Sequence, residues 1–256
     1  MRILFIGDIV GKPGRRIVSN SLAKLRAKQK IDFVIANGEN SAHGKGITKK
    51  IYQQLIFAGV DCITLGNHAY SKGEITEHLT FCENLLFPKN FKNEGRFPSS
   101  KLFSVDSHRI LVSNIMGQSF MPAEVENPFI SFQEVLNQFD SEVVHIVDFH
   151  AETTAEKQLF MRYFSKDTTA ILGTHTHVQT ADEQIVNGCG YITDVGMTGA
   201  VESILGRSIE EVIRRTFNRE ETYYTVAEGQ AMFNGVILTI EGQETVSIER
   251  IRFLES

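Results

Sequence analysis

Five apolar runs in this 256-residue chain each break off at side chains able to hold a metal ion, and that recurrence constrains the fold more than any other feature. The breaks fall at Asp8, Glu39-Asn40, Asn67-His68, His150 and His175-Thr176-His177. Each run reads as a buried β-strand, so oxygen and nitrogen donors collect at strand ends. Donors gathered in this way are what a dinuclear site needs, and the pattern describes a two-metal hydrolase.

Between the breaks, amphipathic stretches alternate with the runs in βαβ rhythm. Residues 3–6 read as strand, 13–28 as helix with Pro13 and Gly14 at its entrance, and 33–36 as the next strand. A second unit has helix over 48–58, Gly59 as its stop and strand over 61–65. Past Ser71 the pattern changes: short runs at 101–105 and 109–113, parted by Asp106-Ser107-His108, predict a hairpin and hence a mixed sheet. Helix over 129–139, strand over 143–148, helix over 153–164 and strand over 170–172 restore the earlier rhythm. The C-terminal part predicts strands over 191–193, 223–226, 232–240 and 245–253 and one helix over 209–216. No repeat or linker interrupts this order, so residues 1–256 are expected to form a single α/β domain of two packed sheets flanked by helices. In α/β sheets the loops at the carboxyl ends of strands converge on one crevice.

Charge and cysteine usage narrow the function classes. The formal net charge is −5 with Lys and Arg dispersed, so no basic stripe exists to draw in duplex nucleic acid. A small phosphate ester stays compatible, because a metal pair would supply positive charge. Cys62, Cys82 and Cys189 form no CxxC and leave an odd one, against a disulfide framework and a zinc knuckle and in keeping with a reducing cytoplasm. The opening residues 1–7 are too short for a signal h-region, and no run approaches the roughly 20 apolar residues that span a bilayer. A cytoplasmic protein without a membrane partner is expected.

Taken singly, each segment has a plain alternative. Asp8 could cap a helix or shape a turn, Glu39-Asn40 could form a polar turn with Ser41, and His68 could be a surface turn histidine. Their metal readings rest on chemistry: two oxygens of Glu39 can bridge two ions, the Asn67 amide oxygen can ligate, and His68 beside it can act as a general acid. His150 closes its strand, whereas His145 falls on the opposite face of a period-two strand and is a core or interlayer histidine satisfied by hydrogen bonding. Asp148 could orient a ligand from behind. His175 and His177, two apart, would place both rings on one side of an extended backbone, where burial favours coordination. The Gly7–Gly14 stretch is no P-loop, since three residues rather than four separate Gly7 from Gly11 and Pro13 follows Lys12; Lys12 and Arg15 are left between substrate phosphate and solvent. His43 and Asp194 are divided between cleft and turn, and His78 and His108 fall in surface contexts.

In order and strand placement the segments resemble the calcineurin-like metallophosphoesterase superfamily, whose pattern runs D-x-H, G-D-x-x-D, G-N-H-D/E, a lone H and G-H-x-H. Val10 stands where that superfamily has histidine, Glu39 where it has aspartate, and Ala69 where an acidic residue follows His68. Together with the opening Met1 to Arg15, the string Asn37-Gly38-Glu39-Asn40 and Thr193-Asp194-Val195-Gly196-Met197, these departures are similar to the YmdB branch over essentially the whole chain. The resemblance implies an α/β/β/α sandwich with two mixed sheets and phosphodiesterase activity on a small-molecule cyclic nucleotide, 2′,3′-cyclic nucleoside monophosphates before 3′,5′. It implies Asp8, Glu39, Asn40 and His177 on one metal and Glu39, Asn67, His150 and His175 on the other, with Glu39 bridging and Asn40 compensating for Val10. A metal-bridging hydroxide would attack and His68 would protonate the departing oxygen. Two divalent or mixed-valence ions are implied; all seven ligands offer nitrogen or oxygen, which suits iron or manganese, and the resemblance favours iron. Two rivals stand beside this reading: a regulatory binding protein on the same fold, and an RNA-directed phosphoesterase, for which no cluster interleaves phenylalanines with Lys or Arg. A homo-oligomer and a regulatory protein partner are left open.

Overall fold

The computed structural model describes residues 1–92, 97–139 and 142–255. Its N-terminal part holds β1 (Arg2–Ile6), β2 (Asp8–Ile9), α1 (Gly11–Gln29), β3 (Phe33–Asn37), α2 (Lys49–Phe57), β4 (Cys62–Thr64), α3 (Glu74–Glu77) and β5 (Leu85–Leu86). The middle holds β6 (Ser100–Val105), β7 (His108–Met116), α4 (Pro128–Leu136), β8 (Val144–His150), α5 (Thr154–Phe164) and β9 (Ala170–Thr174). Then come β10 (Gln184–Val186), β11 (Cys189–Ile192), β12 (Met197–Ala200), α6 (Ile209–Thr216), β13 (Ala231–Glu241) and β14 (Glu244–Leu254).

The strands form two mixed sheets. One runs β2-β12-β13-β1-β3-β4-β5 with β14 also paired along β13, and the other runs β10-β11-β9-β8-β7-β6. In the first, β1, β3, β4 and β5 are parallel neighbours and β13 is antiparallel to β1. In the second, β11, β9, β8 and β7 are parallel, with antiparallel strands at both edges. Crossover helices make the parallel connections from β1 to β5 and from β7 to β9, and the buried faces of these strands make their sequences mostly apolar.

Period-two alternation decides which layer each apolar side chain enters. On β1, Leu4 and Ile6 pack outward with Ile17, Val18 and Leu22 of α1, while Ile3 and Phe5 pack inward. The inward layer joins the two sheets through Phe33 and Ile35 of β3 and Ile110, Val112, Val144 and Ile146 of β7 and β8. A third cluster, Phe132, Val147, Phe149, Phe160 and Phe164, seats α4 and α5 on the outside of the second sheet. The layers are therefore helix, sheet, sheet, helix, as expected. Thr48, Asn127 and Thr153 cap α2, α4 and α5 with their side-chain oxygens.

Several expectations need correction. Residues 223–226 form no strand; Val226 makes a single bridge to Arg207, because no neighbouring strand lies alongside to complete a ladder. His108 begins β7 rather than lying in the hairpin turn, and that strand continues to Met116. Helix α4 stops at Leu136, three residues early. The cysteines are free and buried, and among the described residues no helix is long and apolar enough to cross a membrane.

Candidate metal centre

All seven expected donors meet at one end of the sandwich, beyond the carboxyl ends of β1, β3 and β4 from one sheet and β8 and β9 from the other. Parallel pairing brings those ends together across the inter-sheet layer. Asp8, Glu39, Asn40 and His150 are buried, and Asn67, His175 and His177 are half-buried.

Hydrogen bonding fixes which nitrogen each imidazole turns inward. His150 donates from Nδ1 to Thr174 Oγ1 at 2.8 Å, and that hydroxyl donates to Asp148 Oδ1 at 2.6 Å. The Nε2 of His150 then faces Glu39 Oε1 at 3.2 Å, Asn67 Oδ1 at 3.0 Å and His175 Nδ1 at 3.1 Å. His175 spends its other nitrogen, Nε2, on Glu152 Oε2 at 2.9 Å. His177 donates from Nδ1 to the Leu205 carbonyl at 3.0 Å and turns Nε2 to Asn40 Oδ1 at 3.2 Å and Asp8 Oδ1 at 3.8 Å. The Asn40 amide is oriented because its Nδ2 donates to the Gly44 carbonyl at 3.0 Å, which points its oxygen inward.

The result is a cage of inward-facing nitrogen and oxygen atoms. Too few protons exist to satisfy these acceptors among themselves, and the buried Asp8 Oδ1 has no hydrogen-bond partner. A cation resolves such a conflict, because each atom is of a type that ligates one. Glu39, His150 and His175 offer donor atoms all within 4.8 Å of one another. Gly66 keeps the space clear: a Cβ there would lie 2.2 Å from His150 Nε2 and 2.4 Å from Glu39 Oε2. The residues present therefore fit metal coordination, with Glu39, His150 and His175 as the tightest donor group.

Burial lowers the His150 imidazole, but the Glu39 carboxylate outweighs it and raises it to about 9, so Nε2 carries a proton that a bound cation would displace. Burial pushes the Asp8 carboxyl up to about 7, against the pull of His177 and His150. For Glu39, burial pushes up too, but the adjoining His150 outweighs it and holds the carboxyl low. Burial lowers the His175 imidazole to about 3, with His150 adding to the effect, so this ring stays neutral as a ligand must.

The backbone between β9 and the cage is not extended as expected. His175 has φ 100° and His177 φ 67°, so both rings reach the cage from a turn through left-handed conformations. Such conformations cost a non-glycine residue about 1–3 kcal/mol each and persist only where surrounding contacts impose them.

Other expected residues sort clearly. His145 lies on the opposite face of β8, hydrogen-bonded to Ser113 Oγ at 2.8 Å and packed on Phe132. His68 sits at the rim, its backbone N–H donating to Glu39 Oε2 at 3.0 Å. The Arg15 guanidinium donates to the Ser41 carbonyl and steadies the loop after Asn40. Lys12 and His43 line a cavity of about 420 Å³ beside that loop, with Tyr224 on its wall. His78 packs on Phe81 and His108 opens β7, both outside the cage. Sequence reasoning missed Glu152, Thr174 and the Leu205 carbonyl. Thr174 directly precedes His175, and a hydroxyl beside a donor is a readable signal; Glu152 and Leu205 carry none.

Comparison with known proteins places these donors in a defined context. The family described as YmdB-like protein matches residues 4–251. A 2′,3′-cyclic-nucleotide 2′-phosphodiesterase from Bacillus subtilis is 43% identical over 255 residues, covering 98% of this chain and 96% of that protein. A crystal structure described as a novel phosphatase, from Mycoplasma pneumoniae, superposes with TM-score 0.93 at 36% identity, over 99% of this chain and 93% of that one. An NAD nucleotidase from Haemophilus influenzae shares the fold at 15% identity, with TM-score 0.53 over 98% of this chain and 55% of its own.

Proposed function

The chain belongs to the YmdB-like protein family, and from that membership we propose that it is a metal-dependent phosphodiesterase opening 2′,3′-cyclic nucleoside monophosphates, with 3′,5′-cyclic nucleotides as the second candidate class. The observation that carries the reading is the inward nitrogen of each of three imidazoles, set by outward bonds to Thr174, Glu152 and the Leu205 carbonyl. Bonds of that kind fix the tautomer of a metal-ligating histidine.

We assign Asp8, Glu39, Asn40 and His177 to one ion and Glu39, Asn67, His150 and His175 to the other, with Glu39 shared. Two cations held there would supply a nucleophile from water near neutral pH and neutralise charge on the phosphoryl oxygens. Iron or manganese suits a donor set of nitrogen and oxygen without sulfur. His68 gives a proton to the ribose oxygen as it leaves phosphorus. Burial lowers the pKa of this imidazole, with Glu39 opposing, which makes its protonated form the stronger acid. A purely regulatory descendant would be expected to have shed donors such as Asp8, Asn67 or His175. Three buried free thiols fit a reducing cytoplasm as the location.

The test is a turnover screen of anaerobically purified protein against 2′,3′- and 3′,5′-cyclic nucleotides, phosphomonoesters and short RNA, with iron or manganese added. Fastest turnover of a 2′,3′-cyclic substrate is expected. Full activity with negligible bound metal would overturn the assignment, and a preference for short RNA would favour the RNA-directed rival.

A further inference from the structure

An ion pair with both side chains fully buried lies immediately behind the turn that carries His175 and His177. Lys157 of α5 sends Nζ to Asp194 Oδ2 at 2.8 Å and to the Thr174 carbonyl at 2.8 Å, and both side chains have 0% exposure. Taking two charges out of water is costly, and an apolar pair of like volume is often as stable or more so. A fully buried ion pair therefore calls for a reason in what these groups hold.

They hold the backbone of the turn. The Thr174 carbonyl, fixed by Lys157, belongs to the peptide whose N–H is that of His175, and this N–H donates to Asp8 Oδ2 at 3.3 Å. The next N–H, on Thr176, donates to Asp194 Oδ2 at 3.0 Å, and Asp194 Oδ1 accepts from Gly196 N at 2.8 Å. Successive peptides on either side of His175 are thus pinned by the pair, where the backbone is left-handed at both histidines. Gly173 is shaped to the same end. A Cβ there would lie 1.8 Å from the Thr193 carbonyl oxygen, so only glycine lets β9 approach the segment after β11, and the Lys157 stem passes 3.2 Å from the same point.

We propose that Lys157 and Asp194 are a positioning pair whose role is to impose the left-handed turn that aims His175 and His177 into the cage, so that metal affinity depends on a salt bridge that touches neither metal nor substrate. This rests on the two-metal assignment above. Loss of a group that orients a metal ligand typically costs 10–100-fold in affinity.

Manganese titration of the whole chain, by calorimetry or equilibrium dialysis, tests the pair alongside urea unfolding. Lys157→Met is expected to weaken binding about tenfold or more. It also strands the Asp194 carboxylate, which destabilises the fold by itself. The double variant Lys157→Met/Asp194→Asn separates the two effects: its urea midpoint should recover toward wild type while manganese affinity stays low. Phe160→Leu on the same helix, a stability control, should lower the midpoint and leave affinity unchanged. Recovery of affinity together with stability in the double variant would overturn the proposal, as would wild-type affinity in Lys157→Met. Absence of manganese and iron binding in the wild type would instead overturn the two-metal assignment, and the positioning role with it. Should Lys157→Met fail to fold, Lys157→Gln, which keeps an N–H donor on a shorter stem, takes its place with the same outcomes.

Discussion

At the scale of single residues, the proposed roles separate groups that would hold metal from one that would react, and the two should fail differently. His68 touches the cage only through its backbone N–H, so truncation of its ring leaves the donors in place. His68→Ala is expected to lower turnover by about 10²–10⁴-fold while metal content, read by elemental analysis, stays at the wild-type level. Unchanged turnover would remove His68 as the proton donor. The residue types were legible in the sequence because metal chemistry restricts them. The orienting partners were not: Glu152 and the Leu205 carbonyl meet their histidines only through folding, 23 and 28 residues away along the chain. His145 supplies a contrast on the same strand. Burial lowers its pKa to about 3, from an unfolded value of about 6.5, so between those limits the unfolded chain binds a proton that the folded chain does not. Stability is therefore lost as pH falls through this window, at up to about 1.4 kcal/mol per unit. The urea midpoint of wild type should drop more between pH 7.5 and 5 than that of His145→Gln; equal drops would refute the assignment.

At the scale of elements, each donor owes its place to the strand before it. Strands β1, β3, β8 and β9 were readable because burial on both faces leaves a mostly apolar run, which marks an end when it stops. The two-residue strands β2 and β5 and the short β10 and β12 were not, since so few residues show no period and are defined by what pairs with them. The opposite error arose at residues 223–226, where aromatic and β-branched composition suggested a strand that lacks a partner. The His175–His177 turn was misread for a related reason: spacing of two suits a strand, but the conformation there is set by tertiary contacts. Gly66, just past β4, puts the dependence of site on element to the test. In Gly66→Ala the new methyl would fall inside the cage, so manganese affinity should fall at least tenfold. The urea midpoint should fall as well, because the methyl would lie 2.2 Å from the buried His150 Nε2 and 2.4 Å from Glu39 Oε2, and those side chains must shift to admit it. Affinity equal to wild type would show that the cage lies elsewhere.

At the scale of the whole molecule, the donors come from both sheets, Asp8, Glu39, Asn40 and Asn67 from one and His150, His175 and His177 from the other. Protein bonds already tie the layers behind the cage: Asp148 of β8 accepts from Asn37 Nδ2 at 3.0 Å and Thr64 Oγ1 at 2.5 Å across the inter-sheet layer. Metal ions would extend that tie to the open end, where the buried Asp8 oxygen has no partner. Binding that requires both sheets stabilises only the state in which they are docked. We propose on this ground that the chain unfolds as one unit and that its stability follows metal loading. At a free-ion concentration of 100 times Kd, one site adds about 2.7 kcal/mol. For a chain of this size that shifts Tm by about 5–10 °C. Calorimetric scans of manganese-loaded and chelator-treated protein should each show a single transition, the loaded one higher by at least that amount. Two separated transitions would divide the chain into independent units, and a midpoint indifferent to the chelator would mean that no ion bridges the sheets.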